Sequence, residues 1–351
     1  MVSIRRILVT CGMAFAMNAQ TVHVQPADPL DFPALVDSNS PAYWSNGRLY
    51  LFNSLDMPIR SEAADITHFA KARAVLIQGT NRWRWIEAAW ADTDGTVYAW
   101  YHAEPLNVCP GLPLTAPQIG AMVSSDGVNF RDLGIILRSG VRANCDTQNI
   151  YFAGGHGDFS VIPDRDGSYF YFVFTNYSGN VSAQGIAAAR MAFEDRAAPA
   201  GHVWKFFEGD WQEPGLGGRV TPIFAALADW SSDSPDSLWG PAIHWNTALQ
   251  QYVVLMSHVA GDRNWGQDGI FASFNPDLSN PTAWTTPVKL MDGGGWYPQV
   301  LGYGDGETDT IAGAKARLFL MGHSEWDLIF DSGGASVTPQ STPKARLMRH
   351  R

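Results

Sequence analysis

The chain has 351 residues, of which 46% are hydrophobic and 17% charged, and its formal net charge at pH 7 is −10. This apolar content excludes intrinsic disorder, and the 34 Gly and 21 Pro exclude a long coiled coil. The negative charge argues against a nucleic-acid partner, because such a partner requires a basic protein face. The 14 Trp predict a large aromatic core, an aromatic binding cleft, or both.

Residues 1–19 have the pattern of a secretory signal peptide. Arg5 and Arg6 supply the positive start, and the apolar run that follows them is too short to cross a bilayer. A lipoprotein that uses Cys11 and an uncleaved, buried N-terminus are the two alternatives. We therefore expect a mature protein of residues 20–351 that is secreted or periplasmic and does not contact the membrane after cleavage.

Cys109 and Cys145 are the two cysteines of the expected mature chain. In an oxidising compartment two such cysteines are expected to form one disulfide, with two separate buried thiols as the alternative. They lack the matched His partners of a tetrahedral metal site. They also lack the basic neighbours that would lower the pKa of a catalytic thiol. The pattern therefore favours a structural disulfide.

A β-hairpin unit recurs along the chain. Most copies place a polar or acidic residue at the head of a strand, continue through a turn, and end in a strand rich in Tyr, Phe, Leu and Val. Asn-Gly and Asp-Gly favour tight hairpins, because both central residues tolerate positive φ. The five predicted turns are Asn46–Gly47, Asp92–Gly95, Asp164–Gly167, the segment around Leu249, and Gly304–Gly313.

The five strand heads fall at positions 37, 87, 158, 239 and 297, which are 50 to 81 residues apart. Units of this length, each with a few short strands, are typical of propeller blades. We therefore expect an all-β protein in which residues 20–351 form a single five-bladed β-propeller domain. The alternative, a β-sandwich with insertions, gives no reason for acidic residues to recur at strand heads.

Three of the strand heads carry acids. In a propeller the first strand of each blade lines a central funnel, so Asp37, Glu87 and Asp158 are expected to converge. Carboxyls gathered in one pocket repel each other and lose hydration, so their pKa values separate. Hydrolysis of a glycosidic bond needs one protonated carboxyl as the acid and one ionised carboxyl as the base. A single Asp at a strand head is ordinarily a turn or cap residue, but three at equivalent positions form a more specific pattern.

The sequence resembles the five-bladed β-propeller glycosidases, the group of arabinanases, arabinofuranosidases and xylosidases. The resemblance implies that Asp37, in Asp-Ser-Asn-Ser-Pro, is the general base. It implies that Asp158, in Gly-Asp-Phe-Ser-Val, orients substrate and tunes the pKa of the acid. In that group a Glu before Gly-Pro heads blade four as the general acid. This chain has Trp239 before Gly240 and Pro241, so the resemblance implies a divergent member.

The missing acid needs a substitute. Glu87 is the first candidate, and a salt bridge to Arg82 or Arg84 is its structural alternative. His244 is the second candidate, with a structural hydrogen bond to a backbone carbonyl as the alternative. Glu104, which follows the second strand of blade two, is the third candidate. If none of them donates a proton, the chain is a carbohydrate-binding propeller without chemistry.

Five further residues are expected to bind substrate. His156 follows two glycines whose backbone can approach a ligand closely. Trp239, Trp296 and Tyr297 can stack on the apolar face of a sugar, and core packing is their alternative. Arg60 can hold a carboxylate or hydroxyl from the loop after the second strand of blade one.

Together these features predict an exported glycoside hydrolase that cleaves a poly- or oligosaccharide, with arabinose or another furanose as one substrate class. A non-catalytic carbohydrate-binding propeller is the alternative. We expect a carbohydrate partner, no required cofactor and no metal-binding residues, and leave a structural Ca²⁺ open. A phosphorolytic enzyme would need a basic cluster near the strand heads, which the 24 Lys and Arg do not form. The sequence leaves open the sugar, the linkage, the stereochemical outcome and the oligomeric state.

Overall fold

The computed structural model describes residues 21–55, 57–79 and 84–331. The signal peptide expected at residues 1–19 lies outside them. The helices in this part of the chain are short 3-10 segments at Val181–Ala183, Phe193–Ala197 and Pro281–Ala283. No helix of the described residues is long and apolar enough to cross a lipid bilayer.

The strands form five sheets. The chain enters through β1 (Thr21–Asp31). The first sheet then contains β2 (Ala42–Ser45), β3 (Arg48–Asn53), β4 (Ile59–Ala63) and β5 (Phe69–Ala74). The second contains β6 (Leu76–Gln78), β7 (Arg84–Ala91), β8 (Val97–Ala103), β9 (Gln118–Ser124) and β10 (Asn129–Leu137).

The remaining three sheets follow in chain order. The third contains β11 (His156–Pro163), β12 (Tyr169–Asn176), β13 (Gly185–Ala192), β14 (Val203–Phe207), β15 (Asp210–Pro214) and β16 (Phe224–Ala225). The fourth contains β17 (Asp236–Asn246), β18 (Gln251–Ala260), β19 (Gln267–Asn275) and β20 (Val288–Asp292). The fifth contains β21 (Pro298–Gly302), β23 (Lys315–Leu320) and β24 (His323–Asp331), while β22 (Ile311–Ala312) pairs with β17.

Each predicted hairpin turn connects the first two main strands of one sheet. Gly47, Gly95 and Gly167 adopt positive φ in these turns, as the turn chemistry requires. The first strands contact one another in ring order, β2 with β7, β7 with β11, β11 with β17 and β17 with β21. The prediction of an all-β, five-bladed β-propeller is therefore confirmed.

The ring closes through side-chain and strand pairing between the two ends of the chain. The buried Gln299 amide donates to the Ser40 carbonyl at 2.8 Å and accepts from the Ser40 N–H at 2.6 Å. Strand β1 also pairs antiparallel with β24, with Thr21 opposite Asp331, and becomes the outer strand of the fifth blade. The sequence analysis began its first blade at Asp37 and did not anticipate this strand.

Aromatic packing fills the spaces between neighbouring blades. Trp100 of the second blade lies 5.0 Å from Phe170 of the third, measured between ring centroids. Phe32, before the first blade, stacks on Phe319 of the fifth at 4.1 Å. Burying one such side chain stabilises the fold by about 1.5–3 kcal/mol. Part of the aromatic content is therefore core, as the composition predicted.

Cys109 and Cys145 form a disulfide with a Cα–Cα distance of 5.5 Å, which confirms the predicted pair. It joins the segment between β8 and β9 to the segment between β10 and β11. Cys109 packs with Leu114 and Ala153 in a small apolar cluster of these two segments. The disulfide therefore anchors two long connections at one end of the propeller.

We predict that the double variant Cys109→Ser/Cys145→Ser loses about 2–4 kcal/mol of unfolding free energy, because the bond constrains the unfolded chain across a 36-residue separation. Urea titration followed by tryptophan fluorescence measures this loss. Wild-type protein under reducing conditions is the matched control and should unfold at the urea concentration of the variant. An unchanged midpoint in both samples would contradict the prediction.

Candidate active site

Irregular strand pairing marks three of the blade heads. In the second blade the register shifts between Ile86 and Ala88, which leaves Glu87 unpaired. The third blade has the same shift around Asp158. The fourth has a wider shift that spans Gly240 and Pro241. A β-bulge inserts an extra residue and turns its side chain away from the regular alternation. The bulges therefore aim Glu87 and Asp158 independently of their neighbours.

The backbone of one residue, Phe159, joins the acid-bearing heads. The Phe159 N–H donates to Glu87 Oε2 at 2.7 Å, and the Phe159 carbonyl accepts from Asn39 Nδ2 at 2.9 Å. Asn39 Nδ2 also donates to the Pro241 carbonyl at 3.0 Å. Blades one, two, three and four are thus linked close to Asp37, Glu87 and Asp158.

A cavity of about 300 Å³ opens at this end of the propeller. Three carboxyls line it, those of Asp37, Glu104 and Asp158. Its other walls are mostly aromatic or apolar: Trp85, His102, Pro113, Thr115, Ile150, Tyr151, Phe152, Trp265, Trp296 and Tyr297. Concave sites with apolar walls and a few polar groups are typical of small-molecule binding. Flat aromatic faces beside carboxyls suit a sugar, which has an apolar ring face and a hydroxyl rim.

Asp158 is buried at the cavity wall. Burial raises the pKa of its carboxyl to about 7, and the charges of Glu87 and Glu104 add to this rise. His102 and the Tyr177 hydroxyl, which donates to Asp158 Oδ2, act in the opposite direction. Asp158 also has a φ of 42°, a left-handed conformation that is uncommon for this residue type and recurs at functional sites. At neutral pH a large fraction of Asp158 therefore carries a proton.

Glu87 lies behind the cavity wall and is not part of its lining. Its Oε1 is 3.1 Å from His102 Nδ1, and its Oε2 accepts the Phe159 N–H described above. Burial raises the pKa of Glu87, while His102 and Phe159 act to lower it. Both oxygens of this carboxyl are therefore engaged by protein groups.

His102 lies between the buried and the cavity-facing carboxyls. Its Nε2 is 3.6 Å from Glu104 Oε1, and its Nδ1 is 4.0 Å from Asp158 Oδ1. Burial acts to lower the pKa of His102, but the carboxylates of Glu104 and Glu87, with Asp158, outweigh burial and raise the pKa well above its usual value. Among the described residues, none forms a hydrogen bond with Nε2.

Ligand atoms of Glu87, His102 and Asp158 lie within 4.8 Å of one another, a spacing that could hold a metal ion. Both Glu87 oxygens, His102 Nδ1 and Asp158 Oδ2 also take part in hydrogen bonds with protein groups. The same three side chains therefore belong to a hydrogen-bonded acid–base network.

The structure brings together half of the predicted site residues. Asp37, Asp158, Glu104, Trp296 and Tyr297 line the cavity. The other half, Glu87, His156, Trp239, His244 and Arg60, do not line it.

The expected position of His156 in the funnel is corrected by the structure. His156 packs against Phe174, and its Nε2 accepts from Lys205 Nζ at 3.0 Å. In a regular strand His156 and Asp158 would share a face. The bulge at Asp158 changes this alternation, so His156 faces β12 and β14 of its own blade.

Trp239 and His244 lie in the protein interior. Trp239 is fully buried and packs edge-on against Trp265 at 4.7 Å and Tyr297 at 5.6 Å. It therefore supports two cavity walls without touching the cavity. His244 packs edge-on against Phe330 at 5.4 Å, and burial lowers the pKa of its ring to about 3. This uncharged, enclosed ring is poorly placed to donate a proton to a substrate.

Arg60 joins the first two blades and does not reach the cavity. Its guanidinium donates to the Asp126 carbonyl at 2.6 Å and to the Tyr43 hydroxyl at 3.3 Å. It also lies 4.4 Å from the centroid of the Tyr50 ring. The interaction is therefore structural, because the cationic group is held between the two blades.

Several cavity residues were missed by the sequence analysis. His102 is opposite Trp85 in the β7–β8 hairpin, so its position beside Glu87 depends on a bulge that has no sequence signature. Trp265 and Phe152 come from segments between strands, where no periodicity indicates side-chain direction. For Trp265 the one signal was the composition, through the excess of Trp.

No protein-family model matches the sequence, and no curated protein matches it. Solved structures are similar in fold. A family-43 β-1,3-galactosidase with galactodeoxynojirimycin is 11% identical, with 86% of this chain and 94% of that chain covered and a TM-score of 0.51. A family-43 glycoside hydrolase from Xanthomonas citri complexed with xylotriose is 13% identical, with coverages of 87% and 90% and a TM-score of 0.51.

An exo-β-1,3-galactanase from Phanerochaete chrysosporium with β-1,3-galactotriose is 13% identical, with a TM-score of 0.49. The match covers 89% of this chain and 64% of the galactanase, so this chain spans less than two thirds of that protein. The likeness to the two family-43 enzymes above concerns the fold. This chain therefore has the five-bladed β-propeller fold found in family-43 glycoside hydrolases.

We predict that Asp158→Asn becomes more stable relative to wild type as the pH rises from about 4.5 to 7. The folded pKa of about 7 lies above the unfolded value of about 3.9, so only the unfolded chain loses this proton in that window. Wild-type stability therefore falls with pH through this group, and an amide does not titrate. Urea titrations at both pH values measure the difference.

The matched control for this experiment is Asp305→Asn, in an exposed turn at another position of the propeller. It should follow the pH dependence of the wild type. A difference between Asp158→Asn and wild type that is the same at both pH values would show that Asp158 is ionised throughout.

Proposed function

We propose that this chain is a glycoside hydrolase that binds a sugar in the cavity and cleaves its glycosidic bond by acid–base catalysis. One observation carries the proposal: the carboxyls of Asp37, Glu104 and Asp158 face a single cavity with aromatic walls. Carboxyls in different environments can divide the roles of acid and base, which is the requirement of this reaction.

Asp37 is the general base in this proposal. It is partly exposed and heads the first blade, where its N–H donates to the Ser54 carbonyl at 2.8 Å. Its charge contributes to the raised pKa values of Glu87, Tyr151 and Tyr297, which supports a position facing the centre of the site. A carboxylate there can accept the proton of an attacking water.

Glu104 is the general acid in this proposal, in place of Glu87. Its side chain is 26% exposed and lines the cavity, whereas the side chain of Glu87 is 1% exposed and bonded on both oxygens. Asp158, with a pKa of about 7, acts as a neutral donor to a substrate hydroxyl. The acid role therefore moves from the head of β7 to the end of the neighbouring strand β8.

The cavity and the structural neighbours support a carbohydrate substrate. The neighbouring enzymes are complexed with galactodeoxynojirimycin and with xylotriose, which supports a glycoside as the ligand of this chain as well. The preference for arabinose or another furanose, and export through residues 1–19, belong to the same proposal. A panel of pyranosides and furanosides tests the first point, and N-terminal sequencing of the protein from its own host tests the second.

A carbohydrate-binding propeller without catalysis is the second candidate. The observation that favours it is the head of blade four, where Trp239 occupies the position at which the resembling enzymes have their acid. Calorimetric binding of oligosaccharides without any release of sugar over long incubation would select this candidate. Turnover that depends on Asp37 would reject it.

We predict that Asp37→Asn lowers kcat/KM on a natural glycoside by about 10²–10⁴-fold, because an amide cannot accept the proton of the attacking water. The side chain keeps its shape, so substrate binding measured by calorimetry should change little. The control Asp305→Asn should retain wild-type activity. Activity of Asp37→Asn within about tenfold of wild type would remove Asp37 from the base role.

We predict that Glu104→Gln slows cleavage of a natural glycoside by about 10²–10⁴-fold and largely spares an activated aryl glycoside. The aryl leaving group departs without a proton, so only the natural substrate needs the acid. Glu194→Gln, at an exposed site in a 3-10 helix, is the control and should leave both rates unchanged. Equal losses on both substrates would exclude Glu104 as the proton donor.

A further inference from the structure

We propose that His102, held by the buried Glu87, is a positioning residue whose Nε2–H stabilises the Glu104 carboxylate as Glu104 gives up its proton. The inference rests on the proposed function, because it assigns a partner to the general acid of that reaction. It also gives Glu87 a role, since this acid lies at an equivalent strand head yet does not face the cavity.

The contacts form one continuous chain from the core to the cavity. The Phe159 N–H donates to Glu87 Oε2 at 2.7 Å, and Glu87 Oε1 lies 3.1 Å from His102 Nδ1. The other ring nitrogen, Nε2, lies 3.6 Å from Glu104 Oε1. A base oriented by one group and directed at another is the general arrangement of catalytic acid–base pairs.

The Nδ1 proton of His102 is directed at Glu87. The contact to Glu87 Oε1 at 3.1 Å is shorter than the 3.3 Å contact between Nδ1 and the Asp158 N–H. A proton on Nδ1 makes the first contact a charge-assisted hydrogen bond, which is stronger than a neutral one. Nε2 is then free to carry the second proton of an imidazolium, which points at Glu104.

The ring has little freedom to turn away from this position. Trp85 packs edge-on against it at 5.6 Å, and Phe152 lies 6.2 Å from it. On a third side Gly157 approaches so closely that a Cβ there would lie 2.7 Å from His102 Cε1. A glycine at this position is therefore required for the ring to occupy the site.

Among the described residues, the titratable side chains within 4.0 Å of the ring nitrogens are all acidic. Glu87 approaches from β7, Asp158 from β11 and Glu104 from the end of β8. Tyr177 reaches the ring only through its bond to Asp158. Burial acts to lower the pKa of His102, but hydrogen bonding to Glu104 and Glu87 and the charge of Glu87 raise it.

The proton balance of the step is simple. The bond between the anomeric carbon and the leaving oxygen breaks, and its electron pair goes to that oxygen, which takes the proton of Glu104. Water attacks the anomeric carbon and gives its proton to Asp37. The new Glu104 carboxylate then accepts a hydrogen bond from His102 Nε2, and exchange with solvent removes the proton from Asp37 and returns one to Glu104. A donor already aimed at a developing charge lowers the barrier without reorganisation.

The kinetic test compares His102→Gln with wild type on a natural glycoside and an activated aryl glycoside. We expect about 10²-fold loss on the natural glycoside and little change on the aryl glycoside. The variant also removes a cation beside the proposed acid, so the alkaline limb of the kcat/KM profile should move to higher pH. Adding His102→Gln to Glu104→Gln should cause little further loss, because His102 acts through Glu104.

His258→Gln is the matched control, since His258 also lies between two carboxylates, Asp268 at 2.9 Å and Asp236 at 3.0 Å, but does not line the cavity. It should leave the pH profile unchanged. Equal loss on both substrates with an unmoved alkaline limb in His102→Gln would reduce His102 to a structural residue and overturn the proposal.

A second measurement does not require activity. Histidine side-chain NMR of the wild type should show a protonated His102 ring at pH 7, with the His102→Gln spectrum supplying the assignment. Glu87→Gln and Glu104→Gln should each lower the pKa of this ring. A neutral ring at pH 6 in the wild type, or a pKa that neither variant changes, would overturn the inference. If the wild type cleaves no glycoside, the proposed function fails. The titration still shows whether His102 and Glu104 interact.

Discussion

The geometry of the site depends on the two hydrogen bonds at the Phe159 peptide. The Phe159 N–H donates to Glu87 and the Phe159 carbonyl accepts from the Asn39 amide, so the backbone of one residue links three blades. The innermost strands of a propeller have no further strand on the channel side, and their buried polar groups still need partners. In this protein the side chains of Glu87 and Asn39 are the hydrogen-bond partners. Asp37 lies two residues before Asn39, and Asp158 is directly before Phe159, so these bonds also fix the two acids relative to each other.

The sequence predicted the fold well because hairpin turns are a local property. The turns at Asn46–Gly47 and Asp164–Gly167 are each specified by about four consecutive residues. Five hairpins of this kind define the five blades. Ring closure by β1 could not be predicted, because it pairs strands at opposite ends of the chain and depends on the completed ring.

The site was predicted only in part, and the errors of that prediction have one main cause. A bulge shifts side-chain direction by one residue, and no residue type reports its presence. Asp37 and Asp158 line the cavity as their head positions predicted, although a bulge also aims Asp158. The direction of His156 and the bonding of Glu87 depended on bulges, so strand alternation gave the wrong neighbours. Residues on long connections, such as Trp265, have no alternation to follow.

The proposed change of acid also reorients the substrate. In the resembling enzymes the acid heads blade four, across the funnel from the second blade. Glu104 lies in blade two, at the end of β8 and directly before the long segment that carries Pro113 and Thr115, which line the cavity. An acid must lie beside the leaving oxygen, because proton transfer requires hydrogen-bond distance. The leaving group would therefore rest against the segment between β8 and β9, which the disulfide at Cys109 anchors, and this segment would determine which leaving groups fit.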